Sequence, residues 1–329
     1  MNKHAFHINI LPAGRGDCIH LRFFSVDKWY NIIIDSGPAG KKGNKHGFAS
    51  LMQKINDDGE SVDLLCFTHV DDDHIAAAEC FFGNVNSIGA EKYVKQVWMN
   101  VPEYEMAKLT ALEPSRTEQL TAEQAVTLCQ YLKWHKIPVY YNVPQGIRLQ
   151  FGDVRLHTVL PTQEKLTDYK QWWVKERKNT TGTELLVAEK TDTNKANGSS
   201  IAILIFAFGK RMLFCGDAYK EDLQDVAEQW KEIGFDLVKL PHHGSIYNIG
   251  LEMLQNMNCR NFVISSDGKR DHPSKDTIKL LDEYGNSCDG VTVYGNYPWE
   301  HIEKTDSAKI VVLNEKPITV AEKIEIRTE

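Results

Sequence analysis

Phe67-Thr68-His69-Val70-Asp71-Asp72-Asp73-His74-Ile75 follows the apolar run Val62–Phe67 and opens a stretch of helical periodicity, Ile75–Phe82. His69, Asp71, Asp73 and His74 place four potential ligands within six residues. Imidazole nitrogen and carboxylate oxygen suit zinc, manganese or iron, and a tight turn between a strand end and a helix start converges such side chains on one point. The helix start also leaves backbone N–H groups free nearby. The plainer alternative is a solvated acidic turn in which the aspartates cap the helix and the histidines are incidental. Against it, three adjacent carboxylates beside two histidines repel one another unless a positive charge sits among them.

Outward from this turn, short runs rich in β-branched and aromatic residues predict strands at Asn31–Ile34, Val62–Phe67, Ser200–Phe208, Arg211–Cys215, Phe235–Leu240, Asn261–Ser265 and Lys309–Leu313. Phe208-Gly209-Lys210-Arg211 separates two of them as a hairpin turn. Helical patterns cover Gly47–Asn56, Ile75–Phe82, Thr121–His135, Lys220–Ile233 and Ser274–Tyr284, the last opened by His272-Pro273-Ser274. Chemically capable side chains recur at the carboxyl ends of the predicted strands: Asp35, Asp217, His242 with His243, and, after a short loop, His272. Functional groups in α/β sheets gather beyond those ends, so the repetition points to one shared edge.

The segment His69-Val70-Asp71-Asp72-Asp73-His74 resembles the H-x-H-x-D-H signature of the metallo-β-lactamase superfamily, with aspartate in place of the second histidine. It is most similar to the branch that includes the hydrolase domain of ComEC, a bacterial DNA-uptake channel, and its stand-alone relatives. The resemblance continues, in order, through Leu11-Pro12-Ala13-Gly14-Arg15-Gly16-Asp17-Cys18, Ile32-Ile33-Ile34-Asp35-Ser36-Gly37, Asn197-Gly198-Ser199-Ser200, Phe214-Cys215-Gly216-Asp217, Lys239-Leu240-Pro241-His242-His243-Gly244-Ser245 and Asp271-His272-Pro273. It implies an α/β fold, the four-layer αββα sandwich, with one or two divalent ions, zinc or manganese, at one edge between the sheets. By this resemblance Asp217 bridges two ions, with His69 and Asp71 on one side and Asp73 and His74 on the other. His242, His243 and His272 compete for the remaining places. Asp73 and His243 are the expected catalytic residues, His243 with the alternative of facing a phosphate. Asp35 is expected to orient the turn from behind the ligands, and Asp17 to shape its own turn. Many members carry a further ligand histidine before the Gly-Asp motif; His135 and His157 occupy that interval here and are not taken as ligands.

Composition agrees with a globular chain: 329 residues, 42% hydrophobic and 25% charged, suit a single domain over residues 1–329. Two stretches fit the strand–helix rhythm poorly and are expected as insertions at the rim: about 93–144, mostly helical, and about 163–198, polar and charged around Trp172-Trp173. A net charge of -7 argues against bulk electrostatic capture of long nucleic acid. Seven cysteines without a C-x-x-C pair indicate reduced core thiols rather than a structural zinc knot. No signal peptide or spanning segment is evident, so a cytoplasmic location and no membrane partner are expected.

The expected activity is metal-dependent hydrolysis, with a phosphodiesterase or nuclease acting on nucleotides or short single strands through metal-bound hydroxide preferred. The rivals are a small-molecule esterase or lactonase on the same fold, and a metal-binding, non-catalytic regulatory subunit, for example in a phage-defence system. Lys170–Lys178, with its lysines and paired tryptophans, is a candidate base-stacking lid or a packed helix. The two insertions are candidate docking surfaces for a protein partner.

Overall fold

The computed structural model describes residues 5–40, 47–84, 87–102, 121–178, 194–321 and 323–326. Its strands form two eight-stranded sheets. The first contains β1 (Phe6–Ile10), β2 (Ile19–Ser25), β3 (Lys28–Ile34), β4 (Val62–Cys66), β5 (Val97–Trp98) and β6 (Val139–Tyr140), with β15 (Ile318–Val320) and β16 (Ile324–Ile326) added beside β1. The second runs from β7 (Arg148–Phe151), β8 (Val154–Leu160), β9 (Ala202–Ala207) and β10 (Lys210–Phe214) through β11 (Leu237–Lys239), β12 (Asn261–Ile264) and β13 (Val291–Gly295) to β14 (Ala308–Val312). Each sheet begins antiparallel and becomes parallel, from β3 onward in the first and from β10 onward in the second. Helices α1 (Phe48–Asp57), α2 (Asp72–Phe82), α3 (Thr121–Trp134) and α4 (Gln163–Lys178) accompany the first sheet; α5 (Lys220–Trp230), α6 (Leu251–Met257) and α7 (Lys275–Asn286) accompany the second.

The period-2 pattern of the strands builds the layers. Ile32 and Ile34 of β3 point into the space between the sheets, where they meet Ile203, Ile205, Met212 and Phe214. Ile33 points the other way, onto Phe48, Met52 and Ile75 of the helices. Leu213, Val238, Phe262 and Ile264 likewise face α5, α6 and α7 through Leu223, Met253 and Leu281. Three apolar layers separate four layers of secondary structure, each fully buried Leu, Ile or Phe contributing roughly 1.5–3 kcal/mol. The β9–β10 hairpin turns at Phe208 and Gly209, both at positive φ (52° and 72°), the geometry of a two-residue turn compatible with strand twist.

The segment 93–144 does more than decorate the rim: its described part supplies β5 and β6, the last two strands of the first sheet, together with α3. Residues 103–120 lie outside the described residues, as do 179–193 of the second expected insertion. The described start of that second segment is α4, whose Tyr169 and Trp173 enter the apolar layer over the first sheet. Among the described residues, no helix is long and apolar enough to cross a membrane. All seven cysteines are free thiols, five of them buried.

Candidate metal centre

The carboxyl ends of β3, β4, β10, β11 and β12 meet at one edge, and the expected site residues leave the strands there. β3 ends into Asp35, which is fully buried and held at φ 58°. Its Oδ1 accepts from the Thr68 backbone N–H at 2.7 Å, and its Oδ2 accepts from the Thr68 hydroxyl at 2.8 Å. The same Oδ2 lies 2.8 Å from His74 Nδ1, which fixes the ring so that Nε2 is the nitrogen turned to the centre. Asp71 is the N-cap of α2 with extended backbone, so the chain turns sharply between His69 and His74. That turn brings the two imidazoles to a centroid separation of 4.1 Å.

Asp217 occupies the middle. Its Oδ2 lies 3.5 Å from His74 Nε2, 3.6 Å from His243 Nε2 and 3.8 Å from both His69 Nε2 and His242 Nε2. Asp71 Oδ2 lies 3.7 Å from His69 Nε2, and Asp73 Oδ2 lies 3.8 Å from His243 Nε2. These spacings are too long for direct hydrogen bonds. Ligands on a common ion a little over 2 Å from each are spaced in this way. The buried atoms His69 Nε2, His74 Nε2, His243 Nε2 and Asp217 Oδ1 make no hydrogen bond among the described residues. Buried polar atoms are rarely left so, and a cluster of them converging on one space is the signature of a cation site. Three overlapping groups, all sharing His74, have ligand atoms close enough to share an ion: His69 with His74 and Asp217, Asp73 with His74 and His243, and Asp17 with Asp35 and His74. The donor set fits divalent ions.

The electrostatics agree. Burial alone would push the His74 imidazole down, but the carboxylates of Asp217 and Asp35 outweigh it and hold its pKa well above the ordinary value. Burial would raise Asp217, yet His74, His243 and His242 hold it well below the usual carboxylate range. For Asp71, burial is outweighed by the nearby imidazoles of His69 and His74, and its pKa is lowered. The ionised carboxylates attract a cation, and an ion bound there would displace the proton that they otherwise hold on His74.

Local backbone packing is equally demanding. His242 and His243 are both left-handed, at φ 47° and 53°, a conformation that costs a non-glycine residue energy and persists only where the surroundings over-determine it. Here His242 N–H donates to the Gly216 carbonyl at 3.1 Å, His242 Nδ1 lies 3.0 Å from Asn248 Oδ1, and His243 Nδ1 lies 3.1 Å from the Ser265 carbonyl. Gly216, at φ 56°, packs so closely on Thr68 that a Cβ there would stand 2.9 Å from the threonine's own. The Gly-Asp turn thereby touches the turn that carries His69.

A four-layer αββα sandwich with this His/Asp centre at one edge of its two sheets decides the architecture. The layers are those of the αββα sandwich that the sequence resemblance implies. No family model matches the sequence. Over 229 residues the chain is 24% identical to ComE operon protein 3 of Bacillus subtilis (strain 168), a match that covers 68% of this chain and 23% of that protein. The chain thus spans about a quarter of the length of that relative. Among solved structures, the metallo-beta-lactamase fold protein YhfI from Bacillus subtilis aligns over 94% of this chain and 96% of its own, with 10% identity and a TM-score of 0.43. A diphosphatase from the PhnP family aligns over 95% of this chain and 87% of its own, with 9% identity and a TM-score of 0.42.

Within this αββα fold the other expected residues are placed as follows. His243 is 3% exposed and lies deep, between Asp73 and Asp217, whereas the His242 side chain is 28% exposed at the mouth. Of the two, His242 is the one open to solvent. His272 packs its ring on His242 with centroids 5.5 Å apart, and its buried Nδ1 makes no hydrogen bond among the described residues. Burial, reinforced by His242 and His243, pushes its pKa down to about 4. His135 instead reaches the Phe82 carbonyl at 2.9 Å and Ser87 at 3.0 Å, and His157 packs on Phe206. Neither enters the centre.

Trp173 is fully buried, and Trp172 is half-buried and stacked on Tyr169 at 5.7 Å. The stacking-lid reading fails for Trp173, because a ring wedged in the core has no face left for a base; the packed-helix alternative holds.

Sequence reasoning missed four participants. Arg15 pairs with Asp72 at 2.5 Å and lies 3.4 Å from Asp73. Asn194 donates to Asp71 Oδ2 at 2.7 Å. Ser265 presents its carbonyl to His243. Lys239, fully buried at the end of β11, forms an ion pair with Asp17. Only Lys239 carried a legible signal, a lysine inside the apolar run Phe235–Leu240.

Proposed function

We propose that this chain is a metal-dependent phosphodiesterase or nuclease acting on nucleotides or short single-stranded nucleic acid. The metal-dependent hydrolase part is carried by the four imidazole Nε2 atoms at 3.5–3.8 Å around Asp217 Oδ2, three of them buried without hydrogen bonds among the described residues. Divalent ions bound there, zinc or manganese, supply Lewis acidity and lower the pKa of water towards neutrality. In this reading His69, Asp71, Asp73, His74, Asp217 and His243 would hold the ions.

Asp35 orients His74, and Asn194 fixes Asp71. His242 and His272 stand at the mouth, and His272, held neutral by its lowered pKa, can orient a substrate oxygen or accept a proton. The phosphodiester preference is supported by the carboxylate-rich first motif, which favours oxygen-loving ions, and by the resemblance to the ComEC branch. Arg15 adds a guanidinium beside Asp72 and Asp73, on the wall of a cleft of about 1490 Å³ that also carries Lys54, Lys269 and Arg270. The same wall carries Asp57, Asp58 and Asp267 and none of the expected ligands, so the preference for short substrates rests on the net charge of -7.

The test is a panel of bis-aryl phosphate, linear and cyclic dinucleotides, single-stranded DNA and RNA, a lactone and a thioester. Each is assayed with zinc or manganese and with an Asp73→Ala control. Phosphodiester cleavage that is lost in the control is expected. Intact phosphodiesters with an opened lactone or thioester would favour the esterase, and no cleavage at all would favour a non-catalytic subunit.

A further inference from the structure

Lys239 lies at the end of a central strand of the second sheet and is fully buried, as is its partner Asp17 from the β1–β2 turn of the first sheet, 222 residues away. Leu237, two residues earlier, faces the layer between the sheets, so the alternation of β11 aims Lys239 into that layer, directly beneath the metal centre. Only one carboxylate oxygen of Asp17 is used by the ammonium. The other, Oδ1, makes no hydrogen bond among the described residues and lies 3.4 Å from His243 Nδ1. The turn that carries Asp17 is strapped to the centre twice more. Ser265, whose carbonyl faces His243 Nδ1, donates its hydroxyl to the Gly16 carbonyl at 2.8 Å. Gly16 also lies against Asp73 so tightly that a Cβ would stand 1.9 Å from its carbonyl oxygen.

A buried ion pair adds little stability over a well-packed apolar pair, so cross-linking the sheets does not by itself account for it. Charge at the centre does. Asp17, Asp35, Asp71, Asp73 and Asp217 bring five carboxylates together, and Asp17, Asp35 and His74 are themselves close enough to share a cation. Two divalent ions leave one of those five negative charges unmatched, and Lys239 stands where it is matched.

We propose that the Lys239 ammonium is a built-in third cation of the centre, and that through Asp17 it positions His243, fixing that ring with its proton on Nδ1 and its Nε2 lone pair towards Asp73 and Asp217. Lys239 and Asp17 are thus positioning residues rather than ligands. This rests on the divalent-metal reading of the site above.

The experiment compares the wild type with the charge-neutral double variant Asp17→Asn, Lys239→Met, which leaves no buried charge without a partner. Zinc affinity is read by chelator competition, and the stability of the zinc-free proteins by thermal melting. The double variant is expected to melt, zinc-free, at or above the wild-type temperature while binding one zinc equivalent about 10- to 100-fold more weakly, the usual effect of removing such support from a ligand histidine. A folded double variant that binds every equivalent as tightly as the wild type overturns the proposal. Should the variant not fold, the imidazole 15N spectrum of the zinc-free wild type decides: a proton on His243 Nδ1 is expected, and one on Nε2 overturns it. A wild type that binds no zinc or manganese would count against the metal reading itself, while the tautomer of His243 would still be read independently.

Discussion

Asp35→Asn exchanges one oxygen for an amide nitrogen, and the structure dictates where that nitrogen must go. Oδ1 accepts the Thr68 backbone N–H at 2.7 Å, so the amide oxygen is compelled to stay there. Nδ2 then takes the place of Oδ2, 2.8 Å from both the Thr68 hydroxyl and His74 Nδ1. An N–H facing Nδ1 makes that nitrogen the acceptor and drives the imidazole proton to Nε2, the atom aimed at Asp217 and the ions. The fold has little reason to suffer, because asparagine tolerates the left-handed φ of 58° at this position. The cost falls on the metal. Leaving the buried amide donor unsatisfied costs about 1–3 kcal/mol, which corresponds to a loss of about 5- to 150-fold in metal affinity when its bond to Nδ1 must be broken to ligate. Chelator competition with zinc, beside thermal melting of the metal-free protein, measures the two effects separately. A variant that melts normally and keeps wild-type metal affinity would refute the argument that Asp35 sets the His74 tautomer.

Two further outcomes follow from other parts of the fold. His20 is buried between Asn9 and Asn31, and burial pushes its pKa down to about 4. The folded protein therefore holds it neutral while the unfolded chain binds a proton below about 6.5, so its contribution is intact above that value and drains away as pH falls towards 4, by up to about 3 kcal/mol. His20→Gln should flatten the loss of stability between pH 7 and pH 4 in urea titrations; an unchanged slope would show that His20 is not the group concerned. Trp173→Ala should destabilise by about 3–5 kcal/mol, the cost of deleting a buried indole, and a change below about 1 kcal/mol would contradict its placement in the core.

The parts legible in the sequence were those governed by local periodicity and by strand ends. β3, β4 and β9 to β12 read directly from their apolar runs, and Asp35, His69, Asp217 and His242 could be placed because each follows such a run. β5 and β6 escaped notice: each is two residues long, Val97–Trp98 and Val139–Tyr140, and a pair of residues carries no period. The relative depth of His242 and His243 was equally hidden. Adjacent histidines look equivalent in a sequence, and only the two left-handed residues in succession turn one inward and the other to the mouth. Lys239 and Asp17 illustrate the remaining limit, since a contact across 222 residues depends on how the sheets are stacked and not on any local pattern.

The most direct test of the central claim is the metal-to-protein ratio, measured by elemental analysis after reconstitution with zinc or manganese and removal of unbound ions, for the wild type and for Asp217→Ala. If Asp217 is the carboxylate around which the four imidazoles hold two ions, the wild type should retain close to two equivalents and the variant one or fewer, with the variant still folded. A wild type that retains none, or a folded variant that retains the wild-type ratio, would contradict it.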